Sequence, residues 1–171
     1  MASDMFLKLE GTNGKMEGES QDSTHKDEIQ VLAWSWGMSQ GGTTHIGTGG
    51  GAGKVNVQDL SITKYIDKSS TNLIQCCMSG AHFKEGLLTI RKASGDLKAG
   101  PLEYLKIKME DCIITSVSTG GSGGEDKLTE NVTINFAKVG VTYVPQDDKG
   151  AGLTAKKFGW DIPKNEEQAV K

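Results

Sequence analysis

The sequence is poor in the residues that mark several common architectures. Among 171 residues there are three cysteines, three prolines and three histidines, and aromatic residues make up 6%. Three cysteines, two of them adjacent (Cys76, Cys77), do not make a disulfide framework; reduced thiols in a cytoplasmic folding compartment fit better. No stretch approaches the ~18 apolar residues of a membrane-spanning helix, so no membrane insertion is expected. Basic residues are not concentrated: the longest basic run is Lys156-Lys157 and the net charge is −3. Nucleic-acid binding needs a concentrated basic footprint, so that class is set aside. His25, His45, His82 and the cysteines contain no Cys-x2-Cys or His-x3-His spacing, and no metal or other cofactor is expected. The N-terminal Met1 to Lys8 has neither a basic nor an apolar export region, so a cleaved signal peptide is not expected.

Glycine, in contrast, is abundant, with 23 residues and no three-residue period. Eight of the 17 residues from Gly37 to Gly53 are glycine, between the strand-like segments Ile29–Trp36 and Val55–Tyr65. Irregular connections of this length in a compact domain are usually functional or disordered. With rigid β structure on both flanks, the loop is displayed on a scaffold, and displayed loops make contacts. A second loop of the same kind, Thr119–Asp126, joins Ile113–Ser118 to Leu128–Phe136.

Length and composition (36% hydrophobic, 24% charged) predict one domain over 1–171 with its own core. Strand signals dominate. Leu60, Ile62 and Ile66 share one parity, as do Leu105, Ile107 and Met109. Val132, Ile134 and Phe136 share another, then the phase changes to Val139, Val141 and Tyr143. A one-residue change of phase turns the apolar set to the other face, so an inserted residue or bulge is expected near Lys138. One short helix is expected over about 70–79. Ser70 is its cap, Leu73, Ile74, Cys77 and Met78 form its buried face, and Gly80 is the left-handed residue that ends it. Residues 164–171 read as a mobile tail. Many short strands with turn signals predict a sandwich or barrel.

The candidate chemistry is thin. Gly47–Lys54 invites a phosphate-loop reading, but Thr48 stands at the first glycine position and Val55 at the hydroxyl position. A β-branched segment, not a helix N-terminus, follows, so phosphate has no receiving dipole. Cys76 and Cys77 point about 100° apart on a helix, poor geometry for chelation. Cys77 and His82 read as a small apolar helix residue and a turn histidine rather than a nucleophile and its base. Glu125-Asp126 and Asp147-Asp148 lie beside turns and read as solvated. The sequon Asn131-Val-Thr133 lies inside a strand and reads as chance. Trp34 and Trp36 alternate around Ser35, which puts both indoles on the core side and Ala33 and Ser35 on a small, mildly polar outer strip.

Several long runs resemble the haemolysin-coregulated protein (Hcp) family of bacterial type VI secretion. They are Val31–Met38, Gly49–Leu60, Thr63–Lys68, Val117–Glu125, Thr129–Thr133 and Gly159-Trp160. The sequence departs from the family's usual pattern with Thr71 in place of proline at the first helical position, and in the length of the Gly11–Ser20 connection. The resemblance selects the barrel: a mainly β, antiparallel β-barrel with one short α-helix and long Gly-rich loops. It implies a structural tube subunit, not an enzyme. Six copies form a ring, rings stack, and a contractile sheath on a baseplate expels the tube. A spike protein of the valine–glycine repeat type sits at the tip, and small effectors ride in the lumen. Such a protein assembles in the bacterial cytoplasm and is secreted without a cleaved signal. In that arrangement Ala33 and Ser35 line the channel and touch cargo. The loop of Gln40, Gly41, Gly42, Thr43, Thr44, His45, Ile46, Gly47, Thr48, Gly49, Gly50, Gly51, Ala52, Gly53 and Lys54 contacts neighbouring subunits or rings. The competing expectations are a small-ligand or carbohydrate-binding β-barrel and an enzyme that uses the Gly-rich loop.

Overall fold

The structure, a computed structural model, describes residues 3–12, 14–45, 47, 51–92 and 100–169. The chain enters in β1 (Asp4–Gly11), turns into β2 (Gly14–Lys15), and after an irregular stretch runs through β3 (Ile29–Gln30) and β4 (Ala33–Ser35). A short ribbon of β5 (Met38–Ser39) and β6 (Asn56–Val57) precedes β7 (Leu60–Tyr65) and helix α1 (Ser70–Ser79). Three long strands follow, β8 (His82–Lys92), β9 (Leu102–Thr119) and β10 (Thr129–Tyr143), then β11 (Lys156–Asp161) and β12 (Glu166–Glu167).

All these pairings are antiparallel, in the order β12-β11-β10-β9-β8-β1-β2. β10 keeps β9 along one edge and divides its other edge between β7 (Thr129–Ile134) and β11 (Lys138–Tyr143). The segment from Ile29 to Ser35 completes the circuit. β3 pairs with β1 and Val31 N–H donates to Met5 O; Leu32 N–H then donates to Thr63 O and β4 pairs with β7. One segment thus changes partner within two residues, which curls the sheet into the expected barrel-like, mainly β fold. Leu7, Leu9, Leu60, Ile62, Leu88, Ile107, Met109 and Ile134 fill the interior and are at most 2% exposed. Burying each such side chain stabilises the fold by about 1.5–3 kcal/mol.

The expected change of phase is present, but no residue is inserted near Lys138. Phe136 pairs with Cys112 and Lys138 with Glu110, so the register is the same on both sides of Ala137. Likewise Phe83 pairs with Cys112 and Glu85 with Glu110 across Lys84. The pleat therefore reverses in β8, β9 and β10 together, along a crease through Lys84, Asp111 and Ala137. Asp111 makes the bend in the left-handed region at φ 54°. The register shift in β10 lies elsewhere, between Thr133 and Ile134.

Helix α1 differs from expectation in two respects. Its N-cap is Ser69, not Ser70, and Ser69 makes no side-chain capping bond. The Ser70 hydroxyl is diverted inward, where it donates to Glu130 Oε1 at 2.6 Å and accepts from Asp67 N–H at 3.0 Å. Met78, expected on the buried face, is 86% exposed, and Ile66 is also exposed. The buried face carries Ser70 and Leu73; at about 100° per residue Met78 lies roughly 140° from Leu73, whereas Ser70, Cys76 and Cys77 lie within about 60°. Gly80 ends the helix as expected, at φ 67° with its N–H on Cys76 O. The segment from Lys164 folds back as a hairpin: Asn165 turns at φ 55°, Glu166 and Glu167 pair with Asp161 and Trp160, and Gln168 N–H donates to Gly159 O. Val170 and Lys171 lie outside the described residues.

Candidate functional surfaces

The face of the barrel that carries Ala33 and Ser35 is lined by small polar side chains. Ser35 pairs with Ser61, Ser61 with Thr133, and Thr133 with Ser116. In the next row Ala33 pairs with Thr63, Thr63 with Asn131, and Asn131 with Ser118. Ala33 and Ser35 are exposed, and Trp34 and Trp36 pack against the core. Trp36 Nε1 donates to Gln58 O at 3.0 Å, which satisfies the indole.

Hydrogen bonds tie this face laterally. Thr63 Oγ1 donates to Asn131 Oδ1 at 2.7 Å, and Thr133 Oγ1 lies 2.7 Å from Thr115 Oγ1 and 2.6 Å from Ser116 Oγ. Asp59 closes one end, accepting from Thr115 Oγ1 at 2.6 Å and Asn135 Nδ2 at 2.8 Å. Thr63, Asn131, Thr115, Thr133, Ser116, Asp59 and Asn135 thus satisfy one another's polar groups along this face. Of the residues on this face only Ala33 and Ser35 were accessible to sequence reasoning. The rest meet them through strand register between segments far apart in sequence.

The Gly-rich loop leaves the barrel as a ribbon. Met38 pairs with Val57, Ser39 with Asn56, and a bridge joins Gly42 to Ala52. Thr43 Oγ1 donates to Gly51 O at 3.1 Å. The described residues from Gln40 to Lys54 are all exposed; Ile46, Thr48, Gly49 and Gly50 lie outside the described residues. Lys54 leads into strand β6, so the local geometry is not that of a phosphate loop.

Two buried charge clusters escaped sequence reasoning. Lys64 and Glu130, directly opposed on β7 and β10, are both 0% exposed. Lys64 Nζ donates to Glu130 Oε1 (2.5 Å), Asp67 Oδ1 (3.0 Å) and Ser70 Oγ (3.2 Å), which ties the start of α1 to the barrel wall. In the second cluster Arg91 donates to Asp22 and Asp4 and lies over the Phe6 ring, 4.9 Å from its centroid. The Arg91 guanidinium holds the Asp22 carboxyl well below the usual carboxylate range. His25 stacks on Phe6 at 4.5 Å, and its ring nitrogens lie 2.9 Å from Glu28 and 2.8 Å from Glu103. For the first cluster a signal was available: Lys64 shares the inward parity of Leu60 and Ile62, and Glu130 that of Val132.

The thiols have the character of packing groups. Burial pushes the Cys112 thiol up to about 12 and raises that of Cys76. Cys77 is half-buried on α1 while His82 is exposed at the start of β8. Among the described residues no group of three His, Cys, Asp or Glu side chains could hold a metal ion. Nor is any helix long and apolar enough to cross a membrane.

Comparison with known proteins agrees with this architecture. Residues 6–143 match the family described as "Type VI secretion system effector, Hcp". Protein hcp1 of Pseudomonas aeruginosa is 58% identical over 166 residues, covering 96% of this chain and 98% of that protein. Among solved structures, a type six secretion system protein superposes with a TM-score of 0.87 at 29% identity, covering 98% of this chain and 100% of that one. Hcp1 from Salmonella typhimurium superposes with a TM-score of 0.76 at 40% identity, with the same two coverages.

Proposed function

The chain belongs to the Hcp family of type VI secretion proteins, and from that premise we propose that it is a structural subunit of the secretion tube. Copies associate into rings of about six, rings stack, and a contracting sheath drives the tube outward with a valine–glycine repeat spike at its tip. Small effectors travel in the lumen. The subunit assembles in the bacterial cytoplasm and leaves the cell through this machine, without a cleaved signal. The observation that carries the reading is the match to Protein hcp1 over nearly the whole of both chains.

The geometry is in keeping with a passive wall. Barrel positions that a ligand-binding barrel leaves open are filled by Leu7, Leu9, Ile107 and Met109. The hydroxyl face supplies a smooth inner surface containing Ala33 and Ser35, and the arm from Gln40 to Lys54 reaches neighbouring subunits or rings. Head-to-tail contacts close into rings when the rotation permits. Light scattering and negative-stain imaging of the purified protein test this: rings of about six subunits are expected. A particle of 18.3 kDa throughout the micromolar range would refute it.

A further inference from the structure

β11 extends the core-facing side of the sheet past the point where the core covers it. Val139 pairs with Trp160, Val141 with Phe158 and Tyr143 with Lys156. Val139 is buried at 4% exposure and Trp160 packs against the core, but Phe158 is 48% exposed. The Phe158 and Trp160 rings stack at 6.2 Å, and the base of the arm stands opposite them with Met38 52% exposed. Between them lies an open cleft of about 290 Å³, lined by Trp36, Met38, Val55, Val57, Phe158 and Trp160. The exposed Lys156 shares the strand face of Phe158 and Trp160, and exposed Lys157 and Lys54 adjoin the lining residues. A half-covered apolar floor with a cationic rim calls for an apolar anchor with acidic flanks.

The chain itself carries such a group at the other end of β10. The loop between β9 and β10 presents exposed Glu125 and Asp126, then Lys127, whose ammonium turns onto the Tyr65 ring at 5.2 Å, and then Leu128 at 39% exposure. Leu128 O accepts from Ile66 N–H, and Tyr65 and Ile66 are 38% and 42% exposed beside it. Leu128 rests on Gly121, where any larger residue would collide with its methyl groups, so the knob is firmly seated. Thr129 and Val139 are ten residues apart on one strand, roughly 33 Å at ~3.3 Å per residue. A subunit therefore cannot fill its own cleft with its own knob.

We propose that the cleft beneath the arm receives the Glu125–Leu128 end of a second copy, in a head-to-tail contact with Leu128 on the aromatic floor and Glu125 and Asp126 against Lys156 and its neighbours. The proposal rests on the tube reading, since it specifies one of the contacts by which copies associate. It follows that the two surfaces are different and complementary, as propagation in one direction requires.

Cross-linking tests the pairing. On a Cys76→Ser/Cys77→Ser background, which removes the half-buried native thiols, a Leu128→Cys/Phe158→Cys variant should be joined by a short bismaleimide into a ladder of multimers, while each single variant and the background itself stay uncross-linked. Lys156→Glu and Asp126→Lys change only exposed groups. Each should weaken self-association by about two- to fivefold, and the double reversal should restore it. If the wild type assembles but the double-cysteine variant gives no ladder, or Phe158→Cys alone cross-links as well, another occupant fills the cleft and this pairing is refuted. Charge reversals without effect, or without mutual rescue, also refute it. A wild type that stays monomeric refutes the tube reading along with the pairing.

Discussion

Lys64 Nζ lies 2.5 Å from Glu130 Oε1, across directly opposed positions of β7 and β10, with both side chains shut off from solvent. Asp67 and Ser70 complete the shell around the ammonium, while Glu130 Oε2 has no hydrogen-bond partner among the described residues. Two charges placed inside a hydrophobic wall tie the start of α1 to the sheet and fix the helix's angle to it.

Breaking this pair on one side should therefore be severe. Lys64→Met leaves Glu130 as a buried carboxylate with no cation beside it and is expected to cost about 3–5 kcal/mol. Glu130→Leu leaves the ammonium with Asp67 as its counter-ion and should cost less, and Lys64→Met/Glu130→Leu together should recover much of the loss caused by Lys64→Met. Denaturant unfolding at one fixed protein concentration is the check, because association itself adds to apparent stability. Single variants as stable as the wild type would show that the pair contributes little.

The Asp22–Arg91 contact predicts a pH dependence with a definite sign. The folded-state pKa of Asp22 is depressed, chiefly by its hydrogen bond with Arg91, with a smaller contribution from Thr24. Its stabilisation is therefore complete above the unfolded carboxyl value of ~3.9 and is lost as pH falls below it. Asp22→Asn should be less stable than wild type near pH 7, and the gap should narrow steadily below pH ~4. Thermal melts of both proteins across that range measure it; a gap that widens in acid would contradict the assignment.

Parity along the strands made the barrel's core legible, because Leu60, Ile62, Val132 and Ile134 alternate with polar neighbours on half-covered strands. Lys64 and Glu130 share that parity, but their burial went unread, because a lone charged residue on an apolar face has no visible partner until the register is known. The crease was detectable as a phase change at Val139, yet its cause, a concerted reversal through Asp111, involves β8 and β9 as well. The fold-back after Pro163 left almost no trace, since Glu166 and Glu167 have no apolar alternation and only Asn165 hints at a turn. Ser35 was identifiable from its two tryptophan neighbours. The face around it depends on β7, β9 and β10 meeting, which local sequence does not encode.

The arm should be dispensable for folding and required for assembly. Its described residues from Gln40 to Lys54 are exposed and contribute nothing to the buried core. Replacing Gly41–Gly53 by a tight turn should keep the melting temperature within a few degrees while ring stacking or secretion falls. Normal assembly and secretion by the shortened protein would reduce the loop to decoration, and loss of fold would make it part of the core.

Ser35 offers the sharpest separation of fold from transport. It is exposed, pairs with Ser61, and stands on the face opposite the packed indoles of Trp34 and Trp36. A long polar side chain there adds volume to open space and buries no unpaired group, so Ser35→Gln should change stability by no more than about 0.5 kcal/mol. In the proposed ring, sixfold symmetry repeats that added volume around the channel. Rings should form and tubes should be expelled as before, while co-purification and export of effectors that occupy the lumen fall. Comparing melting temperature and ring formation with effector loading distinguishes the outcomes. An unfolded variant would mean that the side chain is enclosed by something this face does not show. A stable variant that loads effectors normally would leave Ser35 on the channel wall but remove it as a determinant of cargo.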